Sequence, residues 1–592
     1  MSARGCAALL LFAALQAGAA DFNATDPAAD PLAGPITTKV AGAPFSLQLV
    51  ALNGSGGVAS LYTGIVAVDL LDAGDDSGAP DTAGCRASWT PVQTILSGAT
   101  FTPLDGGRLV VGGLAFGDAL RVARVRVREV SGTKAGCSRD AFAVRPDHLL
   151  AQATQADAAS PGTAQSLSAA SYDATTQPVH RAGRPFTLRV QAFNVGGAAT
   201  PRYAGTPDVQ AAASLLGATL GAGGASAWQI PGGGVVQSDA AHYDEVGAAT
   251  LAVGDASFAA VDAADTPDAQ RKVPAVTVNV GRFIPNSFQV QALTAPVFAP
   301  ACGTFSYAGQ PFGFATAPVA DIAAINASGQ LTRNYSGALC KLPAQLPQST
   351  YVAFNAGVDA AAVPVPDNAV TCGTMPADAG HARMALTAGT PGIAIARSAP
   401  LPPFDAEISV VLPLVSDGEA VQQGAPFAFG AATAGNGVPF LAGAKQIRFG
   451  ILQLGNAYGS ERLPLVVPVQ AMSWSGAAAS GGFTSNALDA CTTLDASMFS
   501  LNLDADGDGT TVPTSVSTVL PLALGRGAVQ LAAPNRVGSA RLMLNLSAAL
   551  LPWLRPDDED ADTVYDDAPS ALASFGLFRG HDQRVDTREV FR

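Results

Sequence analysis

The chain has 592 residues and a formal net charge of −14, and only 14% of its residues are charged. One hydrophobic core does not grow to this length, so we expect about three to five domains. The 63 glycines and 41 prolines favour strands and turns over long exposed helices. A nucleic-acid partner would require a basic stripe, and the acidic composition argues against one.

The first twenty residues have the pattern of a secretory signal peptide. Arg4 supplies the positive start, residues 7–15 form a short apolar run, and Ala17-Gly18-Ala19 fits the small-residue cleavage pattern. No later stretch reaches the roughly 18 to 20 apolar residues that a membrane span requires. The sequence therefore predicts a chain exported through the secretory pathway, without a transmembrane segment.

A segment beginning Ala-Gly-x-Pro-Phe recurs along the chain. It occurs at residues 41–45, 182–186 and 308–312, and in a degenerate form at 423–427. The first three copies are followed by an asparagine, a tyrosine and a glycine at constant spacing. These are Asn53, Tyr62 and Gly64; Asn194, Tyr203 and Gly205; and Asn326, Tyr335 and Gly337.

Each copy has the features of a strand start. In the first, Gly42 permits a turn, Pro44 stands where a missing N–H costs little, and Phe45 begins an alternation of apolar and polar residues. The copies are about 115 to 140 residues apart, the size of one Ig-like sandwich with insertions. We therefore predict an all-β chain of tandem Ig-like β-sandwich domains ending in a longer β-rich domain. The predicted boundaries are 1–20 for the signal peptide, 21–143, 144–281 and 282–400 for the Ig-like domains, and 401–592 for the C-terminal domain.

The last domain contains a predicted long hairpin. Its strands would be 447–454 and 463–471, and the turn would be 455–459. The pattern joins two apolar runs through a segment rich in glycine.

Six cysteines follow the signal peptide, and an even number in an exported chain indicates disulfides. No pair has Cys-x-x-Cys spacing, which argues against zinc or thioredoxin-like chemistry. We expect Cys85 to pair with Cys137 and Cys340 with Cys372, because each pair would close a loop inside one domain. Cys302 and Cys491 would then bridge the last two domains. Sequence alone leaves the other pairings open.

An acidic loop in the last domain is a candidate metal site. Asp504, Asp506 and Asp508 alternate with small residues, as in loops that wrap a hard cation such as Ca²⁺. The position of the bidentate glutamate in a full EF-hand loop is Ser515 here. Bound calcium and a solvated acidic turn are therefore both open interpretations. A second acidic run, at 557–562, reads more simply as an exposed loop.

Catalytic motifs are missing from the sequence. It contains no Gly-x-Ser-x-Gly, His-Glu-x-x-His or P-loop pattern, and its five histidines are scattered. A glycosidase needs two facing carboxylates, which sequence cannot reveal. The four tryptophans could be sugar-stacking platforms, although packing is the commoner role. We expect no enzymatic activity, and a carbohydrate-active enzyme or carbohydrate-binding accessory protein is the alternative.

Several motifs resemble one bacterial family, the MshQ-like biogenesis proteins of the mannose-sensitive haemagglutinin (MSHA) type IV pilus. The similar segments lie mainly in the second half of the chain: Pro285-Asn286-Ser287-Phe288, residues 301–312, Asn334-Tyr335-Ser336-Gly337, Arg448-Phe449-Gly450, Asn456-Ala457-Tyr458-Gly459-Ser460-Glu461, Asp489-Ala490-Cys491-Thr492 and Phe575-Gly576-Leu577-Phe578-Arg579-Gly580. Family members often carry a lectin-like domain ahead of this region, and this sequence has no room for one. Sugar binding through that domain therefore does not carry over, and the family supplies no catalytic residues.

The resemblance implies an exported, non-enzymatic protein of a Gram-negative bacterium, acting in assembly or at the tip of an MSHA-like pilus, with adhesion as a further role. The implied partners are pilus or pilin-like subunits and surface glycans. A free surface or matrix protein unrelated to pili is a further alternative.

Overall fold

The structure, a computed structural model, describes residues 21–155, 164–217, 219–353, 368–386, 393–419, 421–477, 482–546, 551–558 and 562–576. The predicted signal peptide lies outside these residues. The described chain is almost entirely β and divides into two compact units. The first comprises residues up to Ser287 with 324–340 and 374–380, and the second comprises 288–323, 341–373 and residues from 381 onward.

The first sandwich consists of nine strands. They are β1 Asp21–Thr25, β2 Lys39–Val40, β3 Phe45–Leu52, β4 Gly64–Asp72, β5 Thr90–Phe101, β6 Arg108–Leu114, β7 Leu120–Glu129, β8 Ala135–Cys137 and β9 Phe142–Arg145. One sheet has the order β1-β3-β6 and the other β2-β9-β7-β4-β5, with β8 beside β7. Their inner faces enclose one core, in which Leu47, Leu49 and Val68 are inaccessible to solvent. The predicted strand from Phe45 is β3.

The second sandwich repeats this plan. Its strands are β10 His148–Gln155, β11 Gln165–Ser166, β12 His180–Arg181, β13 Phe186–Phe193, β14 Asp208–Ser214, β15 Gly223–Gly224, β16 Gln229–Gly232, β17 Val235–Tyr243, β18 Gly247–Asp255 and β19 Val273–Ile284. The sheets are β11-β10-β13-β17-β15, with β16 beside β17, and β12-β19-β18-β14. Between β18 and β19 lie a 3₁₀ turn, Ala260–Asp262, and a one-turn helix, α1 Asp268–Arg271.

The third sandwich extends further along the chain than the sequence predicts. Its strands are β20 Ser287–Thr294, β21 Val297–Ala299, β22 Phe305–Tyr307, β23 Gly313–Thr316, β24 Val319–Ile325, β25 Thr350–Ala353, β26 Asn368–Cys372, β27 His381–Leu386, β28 Phe404–Asp405, β29 Ile408–Val411, β30 Ala428–Phe429 and β31 Gln446–Arg448. Strand β25 pairs with β29, and β22 pairs in parallel with β31. Both pairings cross the predicted boundary between residues 400 and 401.

The fourth sandwich contains the remaining strands. They are β32 Gly450–Leu454, β33 Ala457–Gly459, β34 Leu465–Ala477, β35 Gly482–Ser485, β36 Phe499–Asn502, β37 Val516–Ala523, β38 Arg526–Leu531, β39 Gly538–Leu544 and β40 Ser570–Phe575. Strands β32 and β34 pair antiparallel as the predicted hairpin. The predicted turn, however, contains β33, which leaves the hairpin and pairs in parallel with β40 in the other sheet.

One pairing rule recurs in every sandwich. A short strand pairs in parallel with the last strand of the same sandwich: β2 with β9, β12 with β19, β22 with β31 and β33 with β40. In the first three sandwiches the Ala-Gly-x-Pro-Phe turn follows this short strand directly. The degenerate copy at 423–427 does not follow such a strand. It lies inside the third sandwich, where the carbonyl of Phe427 accepts a hydrogen bond from the N–H of Leu412. In the fourth sandwich the short parallel strand is β33, and the degenerate copy has no part in it.

Candidate functional site

The first junction between sandwiches is built from the repeated motifs themselves. The N–H of Val195, which follows Asn194, donates to the carbonyl of Ala41 at 3.0 Å. The Asn194 side-chain amide donates to the carbonyl of Gly117 at 2.9 Å. The carboxylate of Asp118 accepts from the N–H of Arg202 at 3.0 Å. The asparagine loop of the second sandwich is therefore bound to the Ala-Gly turn of the first.

The second junction uses the same three bonds. The N–H of Ala327, which follows Asn326, donates to the carbonyl of Ala182 at 2.9 Å. The Asn326 side chain donates to the carbonyl of Asp244 at 3.2 Å, and the Glu245 carboxylate accepts from the N–H of Asn334 at 3.0 Å. We call this set of bonds the junction clamp. It consists of a turn carbonyl, a second carbonyl and a carboxylate on one sandwich, bound by an asparagine loop on the next.

The turn favours glycine because of its backbone conformation and, at Gly183, also because the next sandwich approaches closely. Gly42 and Gly183 both have φ of +77°, a conformation that L side chains rarely adopt. A Cβ on Gly42 would lie 3.4 Å from the Asn194 side chain, and one on Gly183 would lie 3.0 Å from the Ala327 nitrogen. The repeated motif therefore serves two purposes, because it begins a strand and also leaves room for a neighbouring domain.

The clamp asparagine also fixes the shape of its own loop. In the first sandwich the Asn53 Oδ1 atom accepts from the N–H groups of Ser55 and Gly57, both at 3.0 Å. Asn326 accepts in the same way from Ser328 and Gln330. The oxygen of the amide therefore holds the loop, and its nitrogen remains available to bind the neighbouring sandwich.

Glu245 is the most enclosed acid of the two clamps. It is 7% exposed and accepts hydrogen bonds from the N–H groups of Arg333 (2.9 Å) and Asn334 (3.0 Å). Burial raises the pKa of Glu245 above its usual range, and these N–H groups oppose that shift. Nothing in the sequence marks this residue, or Asp118, as part of a junction, since a single acid before a strand is ordinary.

A buried aspartate adds a second contact at the first junction. Asp262, on the 3₁₀ turn after β18, accepts hydrogen bonds from the Thr38 hydroxyl and from the N–H of Ala143 at 3.0 Å. The Asp262 side chain is fully buried. Burial raises its pKa to about 6, and the neighbouring carboxylates of Asp265 and Asp140 add to the rise.

The structure brings the three predicted metal ligands together. Asp504, Asp506 and Asp508 each offer a carboxylate oxygen, and these oxygens lie within 4.8 Å of one another. The Asp504 Oδ1 atom is shielded from solvent and has no hydrogen-bond partner in the described part of the chain. Its Oδ2 atom accepts from the N–H of Gly509 at 3.1 Å. A shielded carboxylate oxygen without a donor fits a loop that supplies a ligand to a hard cation.

All six predicted disulfide cysteines are oxidised in the structure. Cys85 bonds to Cys137 and Cys302 to Cys491, which are two of the pairs expected from the sequence. Cys340 and Cys372 are also disulfide-bonded. The Cys302–Cys491 bond joins the third and fourth sandwiches inside the second compact unit. Next to it the buried Asp489 accepts hydrogen bonds from the Tyr307 hydroxyl at 2.8 Å and from the Thr492 hydroxyl at 2.7 Å.

Three of the four tryptophans have packing contacts in the described residues. Trp89 is 7% exposed and lies under the guanidinium of Arg124 at 4.7 Å. The Trp228 ring nitrogen donates to the Pro207 carbonyl, and Trp474 packs edge-on against Phe483. These contacts favour packing over sugar stacking for the three side chains.

Comparison with known families identifies the second half of the chain. Residues 245–438 match the third domain of DUF6701, and residues 448–590 match its fourth domain. The chain contains two DUF6701 domains. No protein with a curated description matches the sequence.

Several solved structures are similar to the chain at low identity. One is FdeC, an Escherichia coli adhesin, with 10% identity and a TM-score of 0.23 over 67% of this chain and 95% of that one. Another is the three N-terminal domains of the bacteriophage RB49 outer capsid protein Hoc, with 11% identity and a TM-score of 0.18 over 66% and 93%. Domains 4–9 of the surface layer protein SbsC have 10% identity and a TM-score of 0.16 over 86% and 62%.

Membrane insertion through a helix has no support in the described residues, because none of their helices has the length and apolarity that a span requires.

Proposed function

We propose that this chain is an exported, non-enzymatic surface protein whose sandwiches form a scaffold for adhesion. The observation that carries the proposal is the repeated junction clamp. The carboxylates of Asp118, Glu245 and Asp262 all accept main-chain hydrogen bonds at domain junctions. These acids stabilise contacts between domains, which suits a scaffold.

Export and display outside the cytoplasm are supported by the disulfides. Such bonds persist in oxidising compartments, including the periplasm and the cell surface. We further propose that the protein acts in the assembly or at the tip of a type IV, MSHA-like pilus. The support is the MshQ-like motifs and the two DUF6701 domains that contain most of them. Its partners would be pilin-like subunits, with surface glycans as the target of adhesion.

We also propose that the loop formed by Asp504, Asp506 and Asp508 binds Ca²⁺. The support is the convergence of the three carboxylates and the shielded Oδ1 atom of Asp504. A bound cation would relieve the repulsion between the carboxylates and stiffen a loop of the fourth sandwich.

A deletion strain tests the pilus assignment. We expect the mutant cells to carry fewer pili by electron microscopy, or a normal number of pili that adhere less, and the complementing gene to restore the wild-type state. Genes for pilin-like proteins and a pilus ATPase beside this gene would agree with the assignment. A mutant with normal pili and normal adhesion would contradict it, and glycan cleavage by the purified protein would replace it with an enzymatic function.

A further inference from the structure

The first sandwich retains the asparagine half of the clamp at an end that no described residue covers. Asn194 and Asn326 are 9% and 2% exposed, because each is docked on the preceding sandwich. Asn53 occupies the equivalent position and is exposed. Its loop nevertheless has the docked shape, held by the same bonds to Ser55 and Gly57.

The three donors that a docked loop uses are all present at this end. Because the spacing from asparagine to tyrosine is constant, these donors are the Asn53 side-chain amide, the N–H of Gly54 and the N–H of Leu61. Within the described part of the chain none of the three donates a hydrogen bond. The donors are therefore arranged as in the two occupied clamps but have no acceptors.

Apolar side chains are exposed at the same end of the first sandwich. Leu61 is 68% exposed, and it stands where the docked loops have Arg202 and Asn334. Leu104 is 98% exposed. It lies at the same end, because it is three residues before Gly107, and the carbonyl of Gly107 accepts a hydrogen bond from the N–H of Ala51, two residues before Asn53. Two leucines exposed at the same end as three unpaired donors give a partner apolar area to cover as well as hydrogen bonds to accept. We call this surface, formed by Asn53, Gly54, Leu61 and Leu104, the free clamp face.

The chain's own turns cannot fill the free clamp face. The turns at Gly42 and Gly183 are already docked inside the first unit. In the second unit a Cβ on Gly309 would lie 3.2 Å from the Cβ of Trp553, so that turn is covered too. The fourth sandwich has Arg462 where the motif has its glycine, two residues ahead of Pro464, so it lacks the glycine turn that the occupied clamps bind.

We propose that the free clamp face binds the end of a β-sandwich domain of a partner protein. By the chemistry of the occupied clamps, that end presents a glycine turn with an accessible carbonyl, a second carbonyl and a nearby carboxylate. It also carries an apolar surface that covers Leu61 and Leu104. The inference is drawn from two occupied copies of the interface in this chain, and it does not depend on the pilus assignment.

Site-specific photocrosslinking in the source bacterium tests the proposal with the full-length chain. Leu61 is replaced by p-benzoylphenylalanine, and in a control chain Leu150, an exposed residue within strand β10, is replaced instead. After irradiation, crosslinked peptides are sequenced by mass spectrometry. We expect an adduct at position 61 that is absent at position 150. The partner peptide should contain a glycine turn directly before a strand of a β-sandwich.

A second substitution separates docking from folding. Asn53→Asp keeps an oxygen that holds Ser55 and Gly57 but removes the amide donor, so the loop retains its shape. Loss of one hydrogen bond predicts a drop of about fivefold or more in adduct yield, with an unchanged melting curve. The proposal is overturned by the lack of an adduct at position 61, by adducts to lipid, glycan or this chain's own turns, or by a yield indifferent to Asn53→Asp.

Discussion

The clamp between the second and third sandwiches makes a quantitative prediction at Glu245. In the Glu245→Ala variant two main-chain N–H groups, those of Arg333 and Asn334, lose their acceptor in a site where the side chain is 7% exposed. Each buried donor left without a partner costs about 1–3 kcal/mol. Relief of the desolvated carboxylate, whose pKa is raised by burial, offsets part of this cost. We expect the junction to lose about 2–4 kcal/mol.

Native-state amide hydrogen exchange measures this loss locally, which is necessary because a chain of several domains does not unfold in one step. A loss of about 2 kcal/mol corresponds to about thirtyfold faster exchange of the Arg333 and Asn334 amides. Asp118→Ala is the matched control. Asp118 accepts from one N–H of the neighbouring sandwich, that of Arg202, besides the N–H of its own neighbour Ala119, and its side chain is 20% exposed. Exchange at Arg202 should therefore accelerate by about tenfold or less. Unchanged exchange at Arg333 and Asn334 in Glu245→Ala would refute the clamp.

Three further predictions follow from other sites. Gly183→Ala should cost about 1–3 kcal/mol more stability than Gly197→Ala. Both glycines have φ near +77°, but only at Gly183 would a Cβ lie against a neighbouring residue. Equal losses in denaturant melts would contradict this prediction. Because the pKa of Asp262 is raised to about 6, its contribution to stability is present below pH about 4 and is lost as the pH rises to about 6, a change of about 3 kcal/mol. Asp262→Asn should flatten this part of the profile of stability against pH. An unaltered profile would disprove the assignment. EDTA should lower the melting temperature by a few degrees in the wild type and not in Asp506→Ala, and a wild-type melt indifferent to EDTA would end the calcium proposal.

The fold was predictable from the sequence because its signals are local. Alternation after Phe45 and the glycine–proline turn before it specify a strand start without reference to the rest of the chain. The even number of cysteines likewise pointed to disulfides.

Pairing partners far apart in the chain were not predictable. The boundary at residue 400 is crossed because β25 pairs with β29 across a segment that carries no strong local signal. The sequence predicts a turn where strand β33 lies because the segment contains Gly455 and Gly459, although pairing with β40 makes it a strand. The copy at 423–427 resembles the other turns but does not occupy their place in a sheet, because a turn motif is a local pattern and strand pairing is not.

The candidate site shows the same division. The sequence shows Gly42 and Asn194 as repeated residues, but it assigns only the glycine, to a turn before a strand, and it gives the asparagine no role between domains. Their meeting at the junction depends on which ends of two sandwiches face each other, and the acids Asp118 and Glu245 occur once each without a recognisable pattern.

The central claim, that the chain is displayed on the cell surface in association with pili, is tested most directly by labelling intact cells. An antibody against the purified protein is applied to unpermeabilised cells before and after mechanical shearing, and the sheared material is collected. The account predicts that the label is present before shearing and moves with the sheared pili. Label that appears only after permeabilisation would contradict surface display, and label that stays on the sheared cells would contradict the association with pili.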